Sequence, residues 1–397
     1  MILCCSSVNS FHLISTHHHR QTAISHPFIA ILSPIKPQCI HKHQNKNSTD
    51  MQHLIPFTAQ HCHKLVSLRG GETKLAQTVH TCLAKTSLAD TLASAKSNQV
   101  RFAIIGIGED IGPRANLGRG GATDAFESAM TQFLNLQSNR FLSGKECLVL
   151  GQIETKDLQL PEGAGAEALR KNVDRLDERV ISLVSQVMAA GLEPIVIGGG
   201  HNNAYGLLMS AKLTHKKKVA AVNLDPHSDF RPREGRHSGN GFSYAAASGA
   251  LGYYHVLGLH ELKNSEETLD QLTTFGGHWH TLQSIWVRRE IALESALKEI
   301  ITKLNDSQMP VALELDLDAI INMPSSASTA AGIPLIDALY YVSSVARNTP
   351  CSYFHLAEAA PVCHVAGIAA GYRETGQSIS ELIYAYIQGR LQSQQIG

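Results

Sequence analysis

Long apolar runs are missing from this 397-residue chain: no stretch approaches the roughly 18 consecutive apolar residues of a bilayer-spanning helix, so a soluble protein with no membrane partner is expected. Net charge is missing too. The 34 lysines and arginines equal the 34 aspartates and glutamates, which leaves no basic footprint for nucleic acid or an acidic membrane surface. The eight cysteines lack C-x-x-C spacing, and four of them (Cys4, Cys5, Cys39 and Cys62) precede the first convincing strand. That usage excludes a disulfide scaffold and fits a reducing cytoplasm.

Acidic residues are also scarce at the start, where residues 1–50 contain only Asp50 and show no sustained helical or strand period. The histidines of "THHHR" and "HKHQNKNSTD" have no packed scaffold to fix ligand geometry, so no specific metal role is assigned to them. A secretory signal would need a basic stretch followed by a longer apolar core, and a transit peptide should be amphipathic and rich in arginine. Neither fits. The expectation is a natural start at Met51, with 1–50 a non-native extension or disordered tail, 51–99 a helical lead-in and 100–397 a single catalytic domain.

From about residue 100, strand and helix signals alternate. "RFAIIGIG", "EPIVIGGG", "VAAVNLD", "YYHVLGL", "PVALELDLD" and "SYFHLAE" read as buried strands. Between and after them, "AEALRKNVDRLDERVISLVSQVMAAG", "NAYGLLMSAKL", "ALESALKEIITKL", "LIDALYYVSSVAR" and "ELIYAYIQGRL" carry helical periodicity. Such alternation predicts an α/β fold with a mostly parallel sheet covered on both faces, and ligand sites beyond the carboxyl ends of the strands.

Three strand ends deliver metal-ligand side chains. "IVIGGGH" ends at His201, "NLDPHSDF" brings Asp225, His227 and Asp229 at every second position, and "LELDLD" brings Asp316 and Asp318. Each has a bland reading: a polar turn for D-x-H-x-D, a half-exposed edge strand for "LELDLD", a phosphate-cradling turn for "GGGH". The last lacks G-x-G-x-x-G or Walker spacing, and a histidine there suits a metal better. Together the three strings give two histidines and four carboxylates without a thiolate, a set for hard-to-borderline divalent ions such as manganese. Two such ions held about 3.5–4 Å apart can share one water and lower its pKa.

"GGGHNNAYG", "NLDPHSDF" and "LELDLDAI", in that order, resemble the three metal motifs of the ureohydrolase superfamily, which includes arginase, agmatinase and formimidoylglutamase. The resemblance, which covers roughly residues 100–390, implies an arginase-like three-layer α/β/α sandwich with two Mn2+ per subunit and a homo-oligomer. It implies that His201 and Asp229 bind one ion, His227 and Asp318 the other, and that Asp225 and Asp316 bridge them. Glu358 in "HLAEAAP" matches the family's glutamate for the amidine or guanidine group, which a carboxylate can hold through charge-assisted hydrogen bonds. Arg236, Ser238 and Asn240 in "REGRHSGNGFSYA" match the loop for the amino-acid end of the substrate, and Arg114 and Arg119 fall in "GEDIGPRANLGRGGA", similar to the first substrate loop.

Departures narrow the branch. Where arginases carry Asp, Ser and Asp-Pro, this chain has Gly200, Glu314 and Ile321-Asn322, and Phe242 stands at the position of their proton-shuttling histidine. "GGGH", "EDIGPRANLGRGGA", "GRHSGNGF" and "AEAAP" look instead like the formimidoylglutamase branch. That implies hydrolysis of N-formimidoyl-L-glutamate to L-glutamate and formamide in histidine breakdown, with Asp229 passing a proton to the departing nitrogen. A guanidino hydrolase releasing urea and a catalytically inactive metal-binding paralogue are the alternatives.

Overall fold

The computed structural model describes residues 52–83 and 86–393, so the expectations for residues 1–50 lie outside the described residues. Ten strands form one sheet: β1 (Leu54–Pro56), β2 (His80–Thr81), β3 (Phe102–Ile107), β4 (Cys147–Ile153), β5 (Glu193–Ile197), β6 (Val219–Leu224), β7 (Leu251–Leu259), β8 (His278–Thr281), β9 (Val311–Asp316) and β10 (Cys351–Ala357). Their order is β1-β4-β3-β5-β10-β9-β6-β7-β8, with β2 also paired to β4. Among these described strands only the β1–β4 pairing is antiparallel.

Every residue of β3, β6, β9 and β10 is buried because helices cover both faces of the sheet. Successive side chains on a strand point to opposite faces. Phe102 and Ile104 accordingly enter one hydrophobic core, while Ala103, Ile105 and Ile107 enter the other. The helix Ala166–Ala189 packs Leu169, Val173, Leu176 and Val180 into the second core. On the other face, Leu335–Asn348 and Ile368–Ser393 bury Tyr341, Val345, Ile379, Ile383 and Tyr386. This is the expected three-layer sandwich.

Some element expectations need correction. The stretch 51–99 is not a purely helical lead-in: beside the helices Ala59–Leu65 and Leu88–Ser97 it supplies β1 and β2, and Thr49–Gly397 forms one compact unit with no boundary at residue 100. Gly151, with φ of +130°, lets β1 approach β4; a Cβ there would lie 2.1 Å from the carbonyl oxygen of Ile55. The last helix spans 26 residues rather than the short "ELIYAYIQGRL" segment. Its Gly376 is a contact point in the fold, where a Cβ would meet the Ser128 carbonyl at 2.3 Å. No described helix is long and apolar enough to cross a membrane.

The sheet order sets up the site. β5, β10, β9 and β6 are consecutive neighbours, and pairs such as Leu356–Ile197, Ala357–Asp316 and Leu224–Leu315 align their carboxyl ends at one edge.

Candidate metal centre

Beyond β5 the chain turns at Gly198 and Gly199, both at positive φ. The buried Glu109 fills this turn: one carboxylate oxygen accepts the Gly200 N–H at 2.7 Å and the Asn203 amide at 2.9 Å, and the other accepts the Gly112 N–H at 3.0 Å. A carboxylate therefore occupies the backbone donors that a phosphate would need. Gly200 has no room for the aspartate of arginases, since a Cβ would lie 2.3 Å from Pro113 and 2.4 Å from Asn202.

The turn aims His201 along the sheet edge. Its Nδ1 faces three carboxylate oxygens, from Asp225 at 3.4 Å, Asp229 at 3.2 Å and Asp316 at 3.4 Å, and has no hydrogen-bond partner. Nδ1 of His227 lies 3.4 Å from an oxygen of Asp225 and 3.4 Å from one of Asp318. The two donor sets, His201–Asp225–Asp229–Asp316 and Asp225–His227–Asp318, share Asp225, and the ligand atoms in each lie within 4.8 Å of one another.

The every-second-residue spacing is made by turns past the strand ends and not by the strand pleat. β6 stops at Leu224 and β9 at Asp316, so most of the donors lie past the strands. Asp225 accepts the His227 N–H at 2.6 Å, and Asp316 accepts the Asp318 N–H at 2.8 Å. Such a bond from an aspartate to the backbone two residues on makes a tight local turn. The same turn, used twice, brings i and i+2 donors together. Asp229 and Glu358 both adopt positive φ, 46° and 64°, a strain that clusters at functional sites.

Burial pushes the carboxyls of Asp316, Asp318 and Glu358 upward and that of Asp229 to about 6, and neighbouring aspartates add to it. Burial also pushes Asp225 up, but His201 and His227 outweigh it and hold that carboxyl at about 2. Among the described residues no lysine or arginine pairs with any of the four aspartates. Four buried carboxylates, an unpartnered His201 Nδ1 and an unpartnered Asp318 oxygen fit divalent cations, which would supply the missing positive charge.

A cavity of about 450 Å³ opens over this cluster, lined by His227, Asp229, Asp316, Asp318, Glu358 and the buried Ser238 and, at its exposed side, by Asn116, Arg231, Lys263 and Asn264. One oxygen of Glu358 accepts the His201 N–H at 2.9 Å; the other has no hydrogen-bond partner among the described residues. Ser238 lines the cavity. Arg236 does not. Its guanidinium is buried, paired with Asp177 at 2.8 and 3.2 Å, bonded to the Asn202 carbonyl and the Asn240 side chain, and stacked on the rings of Tyr205 and Tyr244. Asn240 spends its oxygen on Arg236 and the His237 N–H, and its amide on the carbonyls of Pro232 and Gly235, so it too is structural. Arg114 is drawn away by the carbonyls of Leu160 and Pro161 and by Asp110, and Arg119 by the carbonyl of Ser326.

The residues missed by sequence reasoning are Arg231, Lys263, Asn116 and Asn264. Arg231 follows "DPHSDF" directly, and Lys263 follows the end of β7, the neighbour of β6, so the strand-end rule would have reached both. Phe242 is fully buried, stacked on Tyr254 at 4.4 Å and edge-on to His201 at 5.3 Å, which makes it packing for the histidine rather than a proton carrier.

Comparison with known proteins agrees with this geometry. A model of the arginase family matches residues 100–384. The chain belongs to the arginase family. It is 31% identical over 250 residues to the formimidoylglutamase of Chromobacterium violaceum, covering 60% of this chain and 74% of that protein. It is 29% identical over 285 residues to the formimidoylglutamase of Salmonella schwarzengrund, covering 68% and 82%. Among solved structures, formimidoylglutamase from Bacillus subtilis superposes with a TM-score of 0.66 at 15% identity, over 83% of this chain and 95% of that one. Trypanosoma cruzi formiminoglutamase with two Mn2+ gives 0.59 at 19%, over 80% and 98%. These two show that the arginase-family fold is shared.

Proposed function

We propose that this arginase-family protein is a metal-dependent hydrolase that cleaves N-formimidoyl-L-glutamate with water to L-glutamate and formamide, using two Mn2+ ions held by His201, Asp225, His227, Asp229, Asp316 and Asp318. The observation that carries the reading is the pair of donor sets sharing Asp225 at the base of one cavity. The curated relatives named formimidoylglutamase support the substrate. So does charge: the substrate has a cationic amidine at one end and two carboxylates at the other, and the cavity has Glu358 and the aspartates at its base with Arg231 and Lys263 at its exposed side. Agmatine, which has no carboxylate, would leave Lys263 unmatched among the described residues and Arg231 with only Glu234, 3.8 Å away.

When bound, a pair of divalent ions supplies an acidified water as nucleophile and stabilises the charge that develops on the attacked carbon's substituents. The free oxygen of Glu358 accepts from the amidinium N–H, a charge-assisted bond that orients the formimidoyl carbon. Arg231, Lys263 and the Ser238 hydroxyl take the carboxylates. Asp229, which lines the cavity beside the cluster, takes the proton lost by water and gives it to the glutamate nitrogen as the C–N bond breaks. The water oxygen ends on formamide and both water protons end on the glutamate nitrogen, which leaves as an ammonium group. The five cysteines among the described residues are all free thiols, in keeping with a reducing cytoplasm, and the reaction belongs to histidine breakdown.

Incubating manganese-loaded protein with N-formimidoyl-L-glutamate, arginine, agmatine and guanidinobutyrate tests the reading. Formamide and glutamate in equal amounts from the first alone are expected. Urea from a guanidino compound would move the protein to another branch of the family, and no product from any would favour an inactive paralogue.

A further inference from the structure

Glu314 is shut off from solvent. It is fully buried in β9, two residues ahead of Asp316 and hence on the same face of the strand. One of its oxygens lies 3.3 Å from Nε2 of His201 and 2.7 Å from Nδ1 of His355, and the other accepts the Tyr353 hydroxyl at 2.6 Å. Three adjacent strands make this cluster. His355 sits beside Glu314 in the register of β10 on β9, and His201 comes from the turn after β5 on the other side of β10. Tyr341 pins the backbone by donating to the Glu314 carbonyl at 2.9 Å, and Phe242 packs against the His201 ring.

An imidazole ring that donates from one nitrogen presents a lone pair at the other. His201 meets a carboxylate at Nε2, while its Nδ1 faces Asp225, Asp229 and Asp316 with no hydrogen-bond partner. We propose that Glu314 is the positioning residue for the ion at His201: its carboxylate accepts a hydrogen bond from the Nε2–H, fixes the tautomer and rotation of the ring, and so directs the Nδ1 lone pair into the donor set. His355 shares the oxygen that faces His201, whereas Tyr353 binds the other oxygen. The second donor set contains His227, which makes no contact with Glu314 among the described residues, so the effect belongs to one ion of the pair. This assignment rests on the two-ion reading of the site.

Apo protein titrated with Mn2+ alone, with bound ion counted by calorimetry and the coupled-pair signal followed by electron paramagnetic resonance, tests it without reference to turnover. Wild type should take up two ions per chain. Glu314→Gln, close in size, should retain one ion unchanged and bind the other about 10–100-fold more weakly, the range for losing the carboxylate behind a ligating histidine. The pair signal should give way to that of an isolated ion. Tyr353→Phe alters the same buried cluster but not the His201 contact, and should still bind two. Wild-type affinity for both ions in Glu314→Gln overturns the proposal, as does equal weakening in Tyr353→Phe. Fewer than two ions on wild type overturns the two-ion reading itself, a distinct result. Neutron diffraction of the wild-type protein reads the tautomer with no variant: hydrogen on Nε2 of His201 is expected, and hydrogen on Nδ1 contradicts the assignment.

Discussion

One oxygen of Asp225 lies 3.4 Å from Nδ1 of His201, while the other oxygen of the same carboxylate lies 3.4 Å from Nδ1 of His227. The side chain thus belongs to both donor sets at once. Asp225→Ala should therefore remove both ions and essentially all activity, whereas His227→Ala should spare the ion at His201. Metal analysis after dialysis distinguishes the two, and retention of two ions by Asp225→Ala would refute the shared role.

Glu358→Gln should keep its metal content and its fold, because the amide can still accept the His201 N–H. What it loses is the negative charge that meets the amidine. Activity on N-formimidoyl-L-glutamate should fall by at least about tenfold, the loss of one charge-assisted hydrogen bond worth about 1.5–3 kcal/mol. Full activity in this variant would remove Glu358 from the site.

Two arginines five positions apart should behave in opposite ways. Arg236→Ala leaves Asp177 as an unpaired buried charge and should destabilise the protein by about 3–5 kcal/mol in urea unfolding. Arg231→Ala alters a half-exposed side chain on the cavity and should change stability by no more than about 0.5 kcal/mol while raising KM. An unchanged KM would exclude Arg231 from substrate binding.

His255 gives a pH signature far from the cavity. Burial, reinforced by His280 and His278, depresses its imidazole to about 3 from an ordinary 6.5. Above the unfolded value both states are neutral and the group costs nothing. As pH falls from 6.5 toward 3 the unfolded chain takes up a proton that the native protein refuses, so stability drops by about 1.4 kcal/mol per pH unit from this residue. His255→Gln should flatten the stability–pH slope over that window relative to wild type. Parallel slopes would show that His255 is protonated in the fold.

The legible part of the site is the part where one short string carries the whole constellation. "NLDPHSDF" and "LELDLD" each contain their own turn, since Asp225 and Asp316 accept N–H groups only two residues away. The strands that place them were equally plain, because burial on both faces leaves continuous apolar runs such as "VAAVNL". Arg236 was misread for the converse reason. Its partner, Asp177, lies 59 residues earlier on the helix Ala166–Ala189, and nothing near "REGRHSGN" in sequence shows that a buried carboxylate is waiting for it. Gly376 hid part of the last helix in the same way, by serving a contact with the Ser128 carbonyl that only the fold brings close.

Anomalous diffraction at the manganese edge, from crystals grown with Mn2+, tests the central claim most directly. The account predicts two peaks about 3.5–4 Å apart, flanking Asp225, with His201 on one and His227 on the other. A single peak, or two that do not share Asp225, would contradict it.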